Sequence, residues 1–203
     1  MLQNRVCPRG NIIQTPARGA WMGNRGIIHN AKLQIVRPYR LLAWITCKLE
    51  FKGRKLPVMV HKRNTQLFFL DEVTALSAGH RPCAECRRED YNRFKELWLK
   101  GNPQYGFDKK TSIQQIDTVL HGQRLTDDHF KITYKEKASA LPDGVFVLFK
   151  DHPHLLYKSH LYPWTPSGYE QPFIVDQATK MPVLTPESIV NTIKMGYVPQ
   201  VVI

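Results

Sequence analysis

The chain has 203 residues, 42% of them hydrophobic and 23% charged, with a formal net charge of +12. That length makes one large or two small domains, and a compact fold of this size buries roughly 70% of its extended-chain surface. No apolar run approaches the roughly 20 residues of a membrane helix, which excludes a helical membrane span, and the opening MLQNRVCPRG shows no secretory hydrophobic stretch.

Residues 1–40 show neither helical nor strand periodicity and are rich in Gly, Pro, Asn and Arg, with ARGAWMGNRGIIHN at their centre. Four glycines (10, 19, 23 and 26) mark turns or close backbone approach, and the apolar Trp21, Met22, Ile27 and Ile28 argue for a loop ordered by a ligand. Leu41–Phe51 then reads as a strand, Lys52-Gly53-Arg54-Lys55 as a turn and Leu56–Val60 as a second strand, a hairpin with a cationic tip. In LFFLDEVTALSAG a strand ends at Asp71, which N-caps a short helix closed by Gly79.

The stretch SAGHRPCAECRR follows at once, and its Cys83-x-x-Cys86 spacing gives two metal ligands from one tight turn. Next, REDYNRFKELWLKG predicts a helix with Tyr91, Phe94, Leu97 and Trp98 on one face, ended by Gly101. Ser112-x-x-Gln is a capping box opening a further helix with Ile113, Ile116 and Leu120 inward. From about Lys131 the texture changes to short strands and Pro-rich corners, and Thr185-Pro186-Glu187 opens a last helix running to about Met195. The expected fold is therefore α+β, with a boundary near 122–140. Residues 1–122 form a basic hairpin and helix region stabilised by zinc, and residues 123–203 a β-rich part with a terminal helix.

The excess charge has one location. Residues 1–66 contain thirteen Lys or Arg and a single acid, Glu50, whereas the basic and acidic side chains of 67–203 balance. A field that one-sided favours a polyanion, nucleic acid ahead of an anionic membrane surface. Arg18 and Arg25 sit beside backbone-exposing glycines, Lys52, Arg54 and Lys55 at the hairpin tip, Lys62 and Arg63 next to it, and Arg81, Arg87 and Arg88 around the cysteine knuckle. Such side chains contact phosphates and supply affinity with little sequence reading.

The expected compartment is the cytoplasm, where thiols stay reduced and four cysteines read as metal ligands rather than disulfides. Zinc is the expected ion, because thiolates satisfy its tetrahedral preference. A redox Cys-x-x-Cys would sit in a βαβ setting, which the pattern lacks.

The stretch LFFLDEVTALSAGHRPCAECRRED resembles the second half of the zinc-binding domain of Ada, the bacterial DNA methylphosphotriester repair protein, and AWITC upstream resembles the strand that delivers that family's first cysteine. The likeness covers residues 42–93, about a quarter of the chain. It implies zinc held by Cys47, Cys83 and Cys86, DNA rather than RNA as partner, and Cys47 as the sulfur that accepts a methyl group. The family's fourth cysteine would fall at Phe51, so one ligand is missing, and Cys7 and His29 stand equal as replacements, ahead of His61. The Pro-Cys-His-Arg motif of O-alkylguanine repair is absent. Two alternatives stay open. One is a metal-dependent nuclease using His29, His121 and His129 with Asp127 and Asp128, or the DHPH of 151–154. The other is a closed structural zinc site with no chemistry, the aromatic LLYKSHLYPWTPSGYEQPF then offering a protein partner or small ligand a surface.

Overall fold

A computed structural model describes residues 1–53 and 58–203, and it is α+β, with helices and two β-sheets. The first sheet comprises β1 (Gln3–Val6), β2 (Ile12–Gln14), β3 (Trp21–Asn24), β4 (Ile45–Cys47), β5 (Leu67–Phe69) and β6 (Arg81–Pro82), in the spatial order β2-β1-β5-β3-β4-β6. Residues 1–40, expected to be irregular, thus supply three of its strands. Each is only three or four residues long, with Gly or Pro inside it or within two residues of its ends, too short for an alternation to show.

The expected 41–60 hairpin does not form. β4 shrinks to Ile45–Cys47 and pairs antiparallel with β3 (Met22 opposite Cys47) and parallel with β6 (Thr46 opposite Pro82). Val58 and Met59 lie in a turn and Val60 in no strand, while Leu56 and Pro57, with Arg54 and Lys55 of the tip, lie outside the described residues. The partner of the Cys47 strand comes from 23 positions upstream because Gly23 admits the carbonyl of Ile45 where a side chain would collide: a Cβ there would stand 2.3 Å from that oxygen.

Helix α1 (Glu72–Ser77) starts as expected, with Asp71 Oδ1 accepting from the Thr74 backbone N–H at 2.9 Å. Helix α2 (Arg88–Gly101) buries Phe94 and Trp98, and α3 (Ile113–Gly122) carries the Ser112–Gln115 capping box and buries Ile116 and Leu120. The second sheet follows: β7 (Tyr134–Lys137), β8 (Val145–Phe149), β9 (His152–Tyr157), β10 (His160–Thr165), β11 (Gly168–Tyr169), β12 (Phe173–Ile174) and β13 (Lys180–Val183), ordered β11-β10-β9-β8-β13-β7 with β12 beside β10. Two-residue turns with positive φ at Lys150-Asp151 and Lys158-Ser159 join β8 to β9 and β9 to β10, matching the twist of the strands they connect.

Helix α4 (Glu187–Lys194) starts one residue later than expected, with Pro186 at its N-cap. The Thr185 hydroxyl is engaged elsewhere, accepting the Phe146 N–H of β8 at 3.0 Å. One apolar cluster joins Leu76 of α1, Phe94 and Trp98 of α2, Ile116 and Leu120 of α3, Val145 and Val147 of β8, and Ile189 and Ile193 of α4. Packing is continuous across the 122–140 segment where a boundary was expected. Among the described residues no helix is long and apolar enough to cross a membrane.

Candidate metal centre

The structure brings Cys47, Cys83 and Cys86 together, with their sulfur atoms within 4.8 Å of one another and all three side chains buried. Tetrahedral coordination with bonds of about 2.3 Å places sulfurs about 3.8 Å apart, so the trio fits a metal ion with small adjustment. Among the described residues this is the group of three or more Cys, His, Asp or Glu side chains close enough to hold one.

Local structure builds the trio from two directions. Cys47 ends β4. Cys83 and Cys86 sit in the knuckle between β6 and α2, tied to β4 by the Cys83 N–H donating to the Thr46 carbonyl at 2.9 Å. Inside the knuckle the Glu85 N–H donates to Cys83 Sγ at 3.4 Å, and the Arg87 N–H to the Cys83 carbonyl at 3.2 Å. The Glu85 amide and the start of α2 favour negative charge on sulfur.

A hydrogen bond from Cys47 pulls the Cys83 thiol down to about 5 against the effect of burial, with the Cys86 and Glu85 amides adding to the pull. That bond and burial push Cys47 far up, and burial pushes Cys86 up despite the Lys48 amide. Three thiolates this close would repel one another, and a divalent ion bound among them would supply compensating charge.

A cavity of about 400 Å³ opens on the sulfurs. Met22, Leu49, Phe51, Val58 and Phe68 give it apolar walls, with Lys48, Glu50, Gln66 and Glu85 as polar members. Neither expected fourth ligand reaches it. Cys7 packs with Val73, Phe146, Leu155 and Trp164 on the opposite side of α1, and His29 is buried with Nδ1 2.6 Å from the Thr65 hydroxyl. His61 is exposed, and residues 54–57, Arg-Lys-Leu-Pro, include no metal-ligating side chain. Cys47, Cys83 and Cys86 all line the cavity.

The cations divide into two groups. Arg18, Lys52, Lys62, Arg63 and Arg88 are exposed as a phosphate contact requires. Arg25, Arg81 and Arg87 are not: they are 2%, 4% and 2% exposed, and the expectation that they touch nucleic acid is corrected. Arg81 makes a two-pronged ion pair with Asp117, both contacts at 2.7 Å. Arg87 bonds Glu72 at 2.6 Å and Asp90 at 2.8 Å, and lies 4.1 Å over the Trp21 ring. Arg25 stacks 3.8 Å over Trp44 and donates to His80 Nε2 and the Gly10 carbonyl; burial, then the nearby Arg124, lower its pKa to about 9.

Among the described residues the histidines and acids considered for hydrolysis form no group of three that could hold a metal, although His121 and His129 both meet the Tyr39 ring edge-on, at 4.6 and 6.0 Å. Asp127, Asp128 and His129 are exposed, His121 packs edge-on against Tyr39, and within DHPH His152 is exposed while His154 is buried. Charge count alone hid the frame around the knuckle: Glu72 and Asp117, the partners of Arg87 and Arg81, lie 15 and 36 positions away in the chain.

No family model, curated protein or solved structure matches this chain.

Proposed function

We propose that the protein is a zinc-thiolate alkyl acceptor acting on nucleic acid, DNA before RNA, with Cys47 as the receiving sulfur. The observation that carries this reading is the trio of buried cysteines that together line a cavity with aromatic and aliphatic walls. Cys47, Cys83 and Cys86 would hold the ion. Zinc bound there would keep all three as thiolates at neutral pH. A closed structural site needs no cavity; a reactive one needs an accessible sulfur, and Cys47 lines this cavity.

The reaction is a displacement at a methyl carbon. The Cys47 thiolate attacks the methyl of a phosphate triester, the S–C bond forms as the C–O bond breaks, and the electron pair leaves on the phosphodiester oxygen. Met22, Phe51 and Phe68 suit a methyl group and exclude water, which strengthens every electrostatic contact at the sulfur. Arg18, Lys52, Lys62, Arg63 and Arg88 are the exposed cations that would hold the backbone. The Ada-like residues 42–93 support the same assignment of Cys47.

The test is incubation with a duplex bearing a methylphosphotriester, followed by peptide mass analysis. The reading predicts one methyl added to the Cys47 peptide, absent in Cys47→Ser. Metal-loaded native protein that binds the duplex and gains no methyl would overturn it.

A further inference from the structure

A second cavity, of about 350 Å³, lies in the C-terminal sheet and shares no wall with the first. Phe149 at the end of β8, His154 on β9, Trp164 on β10 and Phe173 on β12 form its walls, with Lys150 and Glu170 also lining it. The Phe149 and Phe173 rings are 5.4 Å apart and tilted by 50°, and the His154 ring meets both edge-on, at 5.8 and 5.6 Å. Two short elements carry this: the Lys150-Asp151 turn follows Phe149, and β12 pairs Phe173 with Leu161.

We propose that this cavity binds a single unstacked nucleobase. Phenylalanine and tryptophan walls favour a flat π ring, and every base has two π faces. The polar groups match a base edge. His154 Nδ1 donates to the His152 carbonyl at 2.8 Å, which fixes the tautomer and leaves Nε2 as an acceptor. Burial lowers the His154 pKa, so that acceptor persists at neutral pH. With the Glu170 carboxylate the site holds two acceptors, which suit the exocyclic amino group of adenine, cytosine or guanine. The Trp164 indole N–H is buried without a partner.

Charge decides against the other occupant of an aromatic cage, a quaternary ammonium. The Lys150 ammonium already stands 5.6 Å from the Phe149 ring centroid, where such a cation would compete, and it is suited to a phosphate attached to the base. The base can come from a free nucleotide or from an unpaired position in a strand. The volume is large enough for one nucleoside.

The test is calorimetric titration of the native protein with AMP, GMP, CMP and UMP separately, with a short single-stranded oligonucleotide, and with inorganic phosphate as competitor. The expected result is saturable binding of an amino-bearing base, with UMP weaker. Phe173→Ala and Glu170→Gln, both at exposed side chains, should weaken it by about tenfold or more with metal content unchanged. Tight monophosphate binding identifies a free nucleotide as the source, and oligonucleotide binding that Phe173→Ala weakens, without monophosphate binding, identifies a strand base. No monophosphate saturation together with oligonucleotide binding unchanged by Phe173→Ala, monophosphate binding that survives Phe173→Ala, or equal displacement of the monophosphate by inorganic phosphate would overturn the proposal. None of these outcomes depends on methyl transfer at Cys47.

Discussion

The Arg87 guanidinium lies 2.6 Å from the Glu72 carboxylate, with both side chains no more than 2% exposed. Arg87 follows Cys86 directly and also donates to the Thr46 hydroxyl at 3.2 Å, next to Cys47. Glu72 accepts from the Tyr197 hydroxyl at 2.6 Å and from the Gln200 N–H at 3.0 Å. One buried ion pair thus ties both halves of the cysteine group to the C-terminal residues.

Removing one member leaves the other charged and buried. Arg87→Met should cost about 3–5 kcal/mol of unfolding free energy, and the double variant Arg87→Met/Glu72→Gln should recover part of that loss. Urea denaturation of the two single variants and the double variant measures the coupling. Purely additive losses would mean that the pair contributes nothing beyond its separate members.

Close approach of β3 and β4 makes a second prediction. A Cβ at Gly23 would stand 2.3 Å from the Ile45 carbonyl oxygen and 2.8 Å from the Phe69 ring, so Gly23→Ala must shift the strand that ends in Cys47. The expected cost is about 1–3 kcal/mol. Chelator competition should also show weaker metal retention, whereas an unaltered metal affinity would show that Cys47 is positioned independently of this contact.

Helix α2 was legible in the sequence because four apolar residues at helical spacing mark it, and α1 because Asp71 caps it locally. The Cys83-x-x-Cys86 turn was legible for the same reason: its spacing is local. The first sheet was not. Arg5 of β1 pairs parallel with Phe68 of β5, and Ile45 of β4 with Arg81 of β6, pairings that no window of neighbouring residues contains. Nor does a count of arginines separate Arg88, which is exposed, from Arg87, whose partner Glu72 only the fold brings near.

Stability should rise with pH above neutrality. Lys131 is half-buried, with its ammonium donating to the Ser77 carbonyl at 2.6 Å; desolvation of that ammonium, then Arg124 and Arg25, lower its pKa from 10.5 to about 7. Between those values the unfolded chain binds the proton that the folded chain has lost, so unfolding free energy climbs with pH across that window. Melting temperatures from pH 7 to 9.5 in the presence of reductant should increase, and Lys131→Met should flatten the rise. An equal slope in the variant would assign the effect to other groups.

Binding to a random duplex should weaken steeply with added salt, through release of counterions from phosphates met by Arg18, Lys52, Lys62, Arg63 and Arg88. Replacing one of these with Ala should reduce the slope of log affinity against log salt by about one, uniformly across sequences. Anisotropy titrations at several ionic strengths measure it. A flat salt response would contradict a role for these cations on nucleic acid.

The most direct measurement is metal content of the native protein beside Cys47→Ser, Cys83→Ser, Cys7→Ser and His29→Ala, with circular dichroism to verify that each variant folds. Three converging sulfurs, with Cys7 and His29 held elsewhere in the fold, predict about one zinc per chain. That zinc should be lost from Cys47→Ser and Cys83→Ser and kept in Cys7→Ser and His29→Ala. Loss of metal from a folded Cys7→Ser or His29→Ala protein, or a native protein without metal, would contradict a three-sulfur centre open to the cavity.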